Sequence, residues 1–169
     1  MILLTVGTYP LPFERLVKGV DTAIMKGLIE EEVFAQIGLC NYRPQNMEYV
    51  EMLQKESFDS CFQKASAVIS HAGMGTIKMA LDNKKPLLVM PRLKKYGEVV
   101  NDHQVATAKK FEELAHILVA YGVDDLPDGI RKLKNFVPRR RQANPEAVAN
   151  RILRFLNGLS EGSQPQAYD

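Results

Sequence analysis

The chain has 169 residues, enough for one domain with a sizeable core. Hydrophobic residues make up 46% and charged residues 25%, and a net charge of +2 is too small to argue for a nucleic-acid partner. Cys40 and Cys61 form no C-x-x-C pair, so neither a disulfide framework nor a zinc site is indicated and a reducing cytoplasm fits, while no apolar run approaches the ~20 residues of a membrane helix.

Residues 1–6 are apolar, lack a basic leader and reach Gly7 too soon for a signal peptide, so they read as a buried strand. The sequence opens directly in that strand, as a domain cut from a larger enzyme would. The turn Gly7-Thr8-Tyr9-Pro10 follows, and from Pro12 apolar residues recur at helical steps: Phe13, Leu16, Val17, Val20, Ile24 and Leu28. Residues 33–37 read as a second strand, 41–45 as a loop, 47–53 as a short strand or helix, and 57–65 as a helix. A strand over 67–70 runs into His71-Ala72-Gly73-Met74-Gly75-Thr76. A helix over 77–82, a strand over 87–90 and a loop over 92–100 come next. Then follow a helix over 102–114, a strand over 117–120 and a helix over 124–136. Asn144-Pro145-Glu146 has the look of a helix start, with Pro in the first turn, and that last helix is expected to run to about Leu156. The domain is therefore drawn at 1–157, with 158–169 as a frayed, flexible tail.

Short apolar strands alternating with helices predict an α/β fold, a Rossmann-like parallel sheet with helices on both faces. Ligands of such sheets bind at the carboxyl ends of the strands, so the loops after Val6, Ser70 and Met90 should share one crevice. In the segment 70–76 two glycines let the backbone turn tightly and come close to a ligand. The helix that follows would aim free N–H groups and a positive dipole end at a phosphate or diphosphate, with the Thr76 hydroxyl beside them. The plainer alternative is that the glycines only shape the turn. Neither G-x-G-x-x-G nor G-K-[ST] is present, so a kinase-type P-loop is disfavoured.

His71 and His103 can each face a ligand or serve the local loop, and His116 reads as structural. The three histidines lack metal-ligand spacing. Asp102, His103 and Gln104 can bind sugar hydroxyls, cap a helix, or do both. Arg92 can hold an anionic group or pair with Glu98. Gly7-Thr8 offers a further amide cluster, or a plain tight turn. Arg139-Arg140-Arg141 reads as a solvated face or as a surface for an anionic membrane or acidic partner.

Taken in order, His71-Ala72-Gly73-Met74-Gly75-Thr76, Lys85-Pro86-Leu87-Leu88-Val89-Met90-Pro91-Arg92, Gly97-Glu98 and Asn101-Asp102-His103-Gln104 resemble the C-terminal domain of family 28 glycosyltransferases. Val6-Gly7-Thr8 and the run 11–17 fit as well. The likeness is nearest to PssE-like subunits of exopolysaccharide and capsule synthesis, and extends from Met1 to about Ala120. It implies the nucleotide-sugar-binding C-terminal half of a GT-B fold and no metal or other cofactor, with a UDP-sugar as donor. It further implies a separate PssD-like, membrane-associated partner that binds a lipid-linked acceptor and places the complex at the inner face of the plasma membrane. Gly7, Thr8, His71, Gly73, Met74, Gly75 and Thr76 would then hold the diphosphate. Arg92, Glu98, Asp102, His103 and Gln104 would line the sugar. Many relatives carry a ribose-binding glutamate where this chain has Met79. The implied reaction is inverting transfer of a hexose or hexuronic acid, with the general base on the partner and His71 in support. The rival expectations are a non-catalytic enhancer subunit and a stand-alone nucleotide-binding module.

Overall fold

A computed structural model describes residues 1–140 and 145–161. Six strands, β1 (Ile2–Thr5), β2 (Val33–Gln36), β3 (Glu48–Val50), β4 (Ala67–His71), β5 (Leu87–Met90) and β6 (Leu118–Val119), form one sheet in the order β3-β2-β1-β4-β5-β6. Every pairing is parallel. The helices are α1 (Glu14–Met25), α2 (Lys55–Lys64), α3 (Met74–Asp82), α4 (His103–Glu113), α5 (Leu126–Leu133) and α6 (Pro145–Glu161).

The two-residue period of the strands divides the apolar residues between two faces. Leu4, Val6, Ile69, Leu88 and Met90 pack with Leu16, Val17 and Val20 of α1 and Ile130 of α5. Leu3, Val68, Leu87 and Val89 face the other way, toward Phe62 of α2, Ile77 and Ala80 of α3 and Ala108 of α4. Strands buried on both sides explain why the sequence shows continuous apolar runs there. β1 lies at the centre, with Thr5 aligned to Gln36 on one side and Ser70 on the other.

Several boundaries differ from the sequence expectation. Of residues 47–53 only Glu48–Val50 form a strand, β3, an edge whose outer residues need little apolar content. α3 begins at Met74, so both Met74 and Gly75 lie in its first turn. The loop 92–100 contains a 3-10 turn over Lys94–Tyr96, ended by Gly97 at φ +68. The helix expected over 124–136 is a 3-10 turn, Val123–Asp125, followed by α5. α6 continues through Gly158 to Glu161, so the tail does not begin at residue 158; the remainder of 158–169, together with Arg141 and Asn144, lies outside the described residues. Gly158 is tolerated because one glycine costs an exposed helix only about 1 kcal/mol. On α6, Ile152, Leu153, Phe155 and Leu156 are all more than half exposed. Among the described residues no helix is long and apolar enough to cross a membrane.

Candidate functional site

The loops that follow β1, β4 and β5 meet at the carboxyl ends of the strands. Their meeting point is the ring of His71, the last residue of β4, aligned with Met90 in β5. A Cβ built on Gly7 would lie 2.4 Å from His71 Nε2, and one on Gly73 would lie 2.0 Å from Cε1. The imidazole therefore rests against two bare α-carbons, and both glycines are needed to admit it. Gly7 also holds φ +74, a left-handed conformation that a side chain disfavours.

Burial, the main cause, pushes the His71 pKa from 6.5 down to about 4, the charge of Arg92 adds to the fall, and the side chain of Gln104 opposes it. His71 is thus a neutral imidazole near pH 7, and its buried Nδ1 makes no hydrogen bond within the protein. It shapes the crevice floor without adding a positive charge.

The first turn of α3 is the open part of the site. Gly73 occupies the N-cap position, and no side chain caps the helix. Met74 and Gly75 are exposed and Thr76 is partly buried. A Cβ on Gly75 would meet nothing within 4 Å. Protein packing gives no reason for a glycine there, although glycine weakens a helix interior by about 1 kcal/mol relative to alanine. The space in front of the α3 amides can accept an anion, which the free N–H groups and helix dipole would favour.

The turn after β1 differs. The Gly7 N–H already donates to Thr5 Oγ1 at 3.1 Å, and its carbonyl accepts from Gln36 Nε2 at 3.3 Å. The Gly7 N–H, expected to face a diphosphate, is thus engaged within the turn, and the residue also seats His71. Thr8, next in the chain, is exposed at the crevice.

Two of the residues expected to line the sugar are internal. Arg92 is 0% exposed and Glu98 4% exposed, and neither offers a side chain to a solvent-borne ligand. Arg92 Nη1 donates to the carbonyls of Leu11, Pro12 and Glu98 at 2.9, 3.1 and 3.1 Å, and Nη2 donates to that of Val6 at 2.9 Å. Its partner is not the Glu98 carboxylate, which accepts from Arg15 Nε at 3.0 Å, Arg15 Nη2 at 2.9 Å and the Leu93 N–H at 2.9 Å. Gln104 is 6% exposed, and its Oε1 accepts from the Arg92 N–H at 3.2 Å. It stands behind the crevice wall, beside His71.

Asp102 and His103 remain exposed. Asp102 holds the N-cap position of α4 without a side-chain cap bond, and its Oδ1 instead accepts from the Lys94 N–H at 2.7 Å. Asn101 does the capping: its Oδ1 accepts from the His103 N–H at 3.2 Å and touches the His103 ring. His116 is structural, with Nδ1 against the Arg139 carbonyl at 2.8 Å and its ring beside Phe111. Met79 is partly buried and packs on the second core layer. Sequence reasoning missed Thr5, Gln36 and Arg15, which hold the loops from beneath. Polar residues inside apolar runs, such as Thr5 and Gln36, were the available signal.

The glycosyltransferase family 28 C-terminal domain matches residues 1–157. The chain belongs to that family. Among curated relatives, the UDP-N-acetylglucosamine transferase subunit ALG13 of Cryptococcus neoformans is 31% identical over 105 residues, covering 60% of this chain and 50% of that protein. The human subunit of the same name is 38% identical over 63 residues, covering 37% of this chain and 5% of that protein. The family 28 domain thus spans about half the length of the Cryptococcus relative.

Solved structures agree on the architecture. The kitacinnamycin glycotransferase superposes with a TM-score of 0.60 at 19% identity, over 79% of this chain and 34% of that one. MurG of Acinetobacter baumannii gives 0.53 at 20% identity, over 78% and 39%. The family 28 domain here is the Rossmann-like, C-terminal-type half of a GT-B glycosyltransferase fold.

Proposed function

We propose that this chain is the donor-binding subunit of a two-chain, inverting glycosyltransferase. It would hold a UDP-sugar while a PssD-like, membrane-associated partner binds a lipid-linked acceptor at the inner face of the plasma membrane. The observation that carries this reading is the uncapped start of α3, where Gly75 is exposed and a Cβ built on it would meet nothing, two residues past the Gly73 that seats the His71 ring. Two features support the second subunit. The curated relatives are named as subunits of a UDP-N-acetylglucosamine transferase, and Ile152, Leu153, Phe155 and Leu156 of α6 are each more than half exposed.

In the proposed reaction the acceptor hydroxyl attacks the anomeric carbon of the sugar. The bond from that carbon to the diphosphate oxygen breaks, and UDP leaves with the electron pair. The α3 amides, Thr76 and the helix dipole would stabilise the charge that grows on the diphosphate. A base on the partner would take the acceptor proton. Thr8, exposed at the crevice, would add contacts to the diphosphate; Asp102 and His103 would face the sugar, and Gln104 would reach it only from behind His71. Transfer of a hexose or hexuronic acid into an exopolysaccharide or capsule is the setting we favour.

A second reading makes the chain a non-catalytic enhancer of its partner. Met79 favours it, because a core-packed thioether cannot bind ribose hydroxyls as a glutamate would. Sugar transfer from a panel of UDP-sugars to a lipid-linked acceptor separates the two, comparing this chain, its partner and the pair. Transfer by the pair alone, abolished by Gly75→Asp, supports the donor-subunit reading. Full transfer by the partner alone removes it.

A further inference from the structure

We infer that Arg92 is a positioning residue of the donor site: from beneath the crevice, its buried guanidinium ties the loops after β1 and β5 to one another and fixes the seat of the His71 ring. The inference rests on the donor-site reading above. A fully buried arginine is costly, and apolar residues of similar volume often serve stability as well or better. Here the guanidinium is spent on four backbone carbonyls, all in loops at the carboxyl edge of the sheet. Val6, which accepts from Nη2, directly precedes Gly7, the residue on which His71 rests. The main chain of Arg92 reaches the other way, donating its N–H to Gln104 in the first turn of α4. One residue thereby links the β1 loop, the β5 loop and α4.

The surroundings keep this charge in place without cancelling it by a direct ion pair. Phe13 lies 4.7 Å from the Arg92 guanidinium and 5.4 Å from that of Arg15, ring centroid to guanidinium carbon. Arg15, itself partly buried, takes the Glu98 carboxylate, so the group of Arg15, Glu98 and Arg92 carries one net positive charge. That charge also contributes to holding His71 neutral. A planar five-donor fork can serve carbonyls from separate segments at once, and a lysine ammonium cannot reproduce that geometry.

The test compares the wild type, Arg92→Lys and Phe62→Leu for thermal stability and for UDP binding by calorimetry. In the reconstituted pair it also reads donor and acceptor KM. Phe62, the buried residue of α2, lies in the core layer on the other face of the sheet from Phe13 and provides a destabilising control away from the crevice. Arg92→Lys should weaken UDP binding and raise donor KM by about tenfold, leave acceptor KM unchanged, and move the imidazole titration of His71; Phe62→Leu should change stability only. Equal UDP affinity in wild type and Arg92→Lys would overturn the inference while leaving the donor site standing. A wild type that binds no UDP, in a pair that transfers no sugar, would overturn both. Should Arg92→Lys not fold, side-chain NMR of the wild type decides. Arg92 Nη protons protected from exchange, with Gly7 and Thr8 amides shifted by UDP, support the role, and freely exchanging Nη protons end it.

Discussion

The turns after β1 and β4 look alike as sequence: each leaves a buried strand, carries glycine and opens toward a helix. Their hydrogen bonds separate them. In the first, the Gly7 N–H goes to Thr5, the Gly7 carbonyl to Gln36 and the Val6 carbonyl to Arg92. In the second, α3 starts uncapped and Gly75 faces open space. The first turn is a frame whose Val6 and Gly7 polar groups are engaged internally, and the second leaves its helix start uncapped. Glycine marks both, but for different causes: close approach of a side chain at Gly7 and Gly73, and room for a ligand at Gly75.

The largest expected effect breaks the second turn alone. Gly75→Asp should weaken UDP binding by about 100-fold or more, because a carboxylate would occupy the anion site and repel the diphosphate. Gly75→Ala should slightly stabilise the unliganded chain, by about 1 kcal/mol or less, since alanine is the better helix former and meets nothing. Stability rising while UDP affinity falls would confirm that the position is kept open for a ligand. Unchanged affinity in both variants would assign the open space to no ligand.

Gly7→Ala attacks the frame. The new Cβ would sit 2.4 Å from the His71 ring at a φ of +74, so a loss of about 2–4 kcal/mol is expected from denaturant unfolding. The loss should shrink in the double variant with His71→Ala, which removes the colliding ring, and a cycle without coupling would mean that the ring is not seated there.

His71 itself sharpens the comparison through pH. Its folded pKa of about 4 lies below its ordinary 6.5, so the unfolded chain binds more protons between those values and stability rises with pH across that window. The contribution is present in full above pH 6.5 and declines by up to about 3 kcal/mol as pH falls to about 4. His71→Gln should flatten that part of the stability profile. Asp21 acts in a different window: burial opposes, but bonds from Tyr42, Asn46 and Gln45 hold its carboxyl below 3.8, so its contribution fades only under more acid conditions.

Much of this was legible in the sequence. Apolar runs placed the strands, and helical spacing placed α1. The alternation of the two forced the loops after Val6, Ser70 and Met90 to one edge. Arg92 and Glu98 were not legible as interior residues. Their burial depends on Arg15, 83 residues from Glu98 in sequence, and on Phe13, neither of which local pattern can connect to the β5 loop. The direction of the Gln104 side chain was not legible for the same reason: the first turn of a helix can face a ligand or the loop behind it, and here its Oε1 accepts from the Arg92 N–H. The start of α3 shifted because Gly75 is a poor helix former and masked the start, yet the strand ends at His71 and the helix begins at Met74.

The smallest effect tests whether the frame depends on satisfied polar groups or on shape alone. Thr5 is 1% exposed, and its Oγ1 accepts from Gly7 at 3.1 Å and from Gln36 Nε2 at 3.4 Å. Thr5→Val keeps the volume and the β-branched outline a strand prefers, but leaves the Gly7 N–H without its acceptor. An orphaned buried donor costs about 1–3 kcal/mol, and the low end is expected here because Gly7 is only partly buried. The orphaned amide would still point at the buried side chain of residue 5, so UDP affinity should hold as stability falls. A variant that lost affinity in proportion to stability would show that the first turn is a rigid frame whose shape the second turn needs. One that lost only stability would show that the two turns, alike in sequence, are energetically separate.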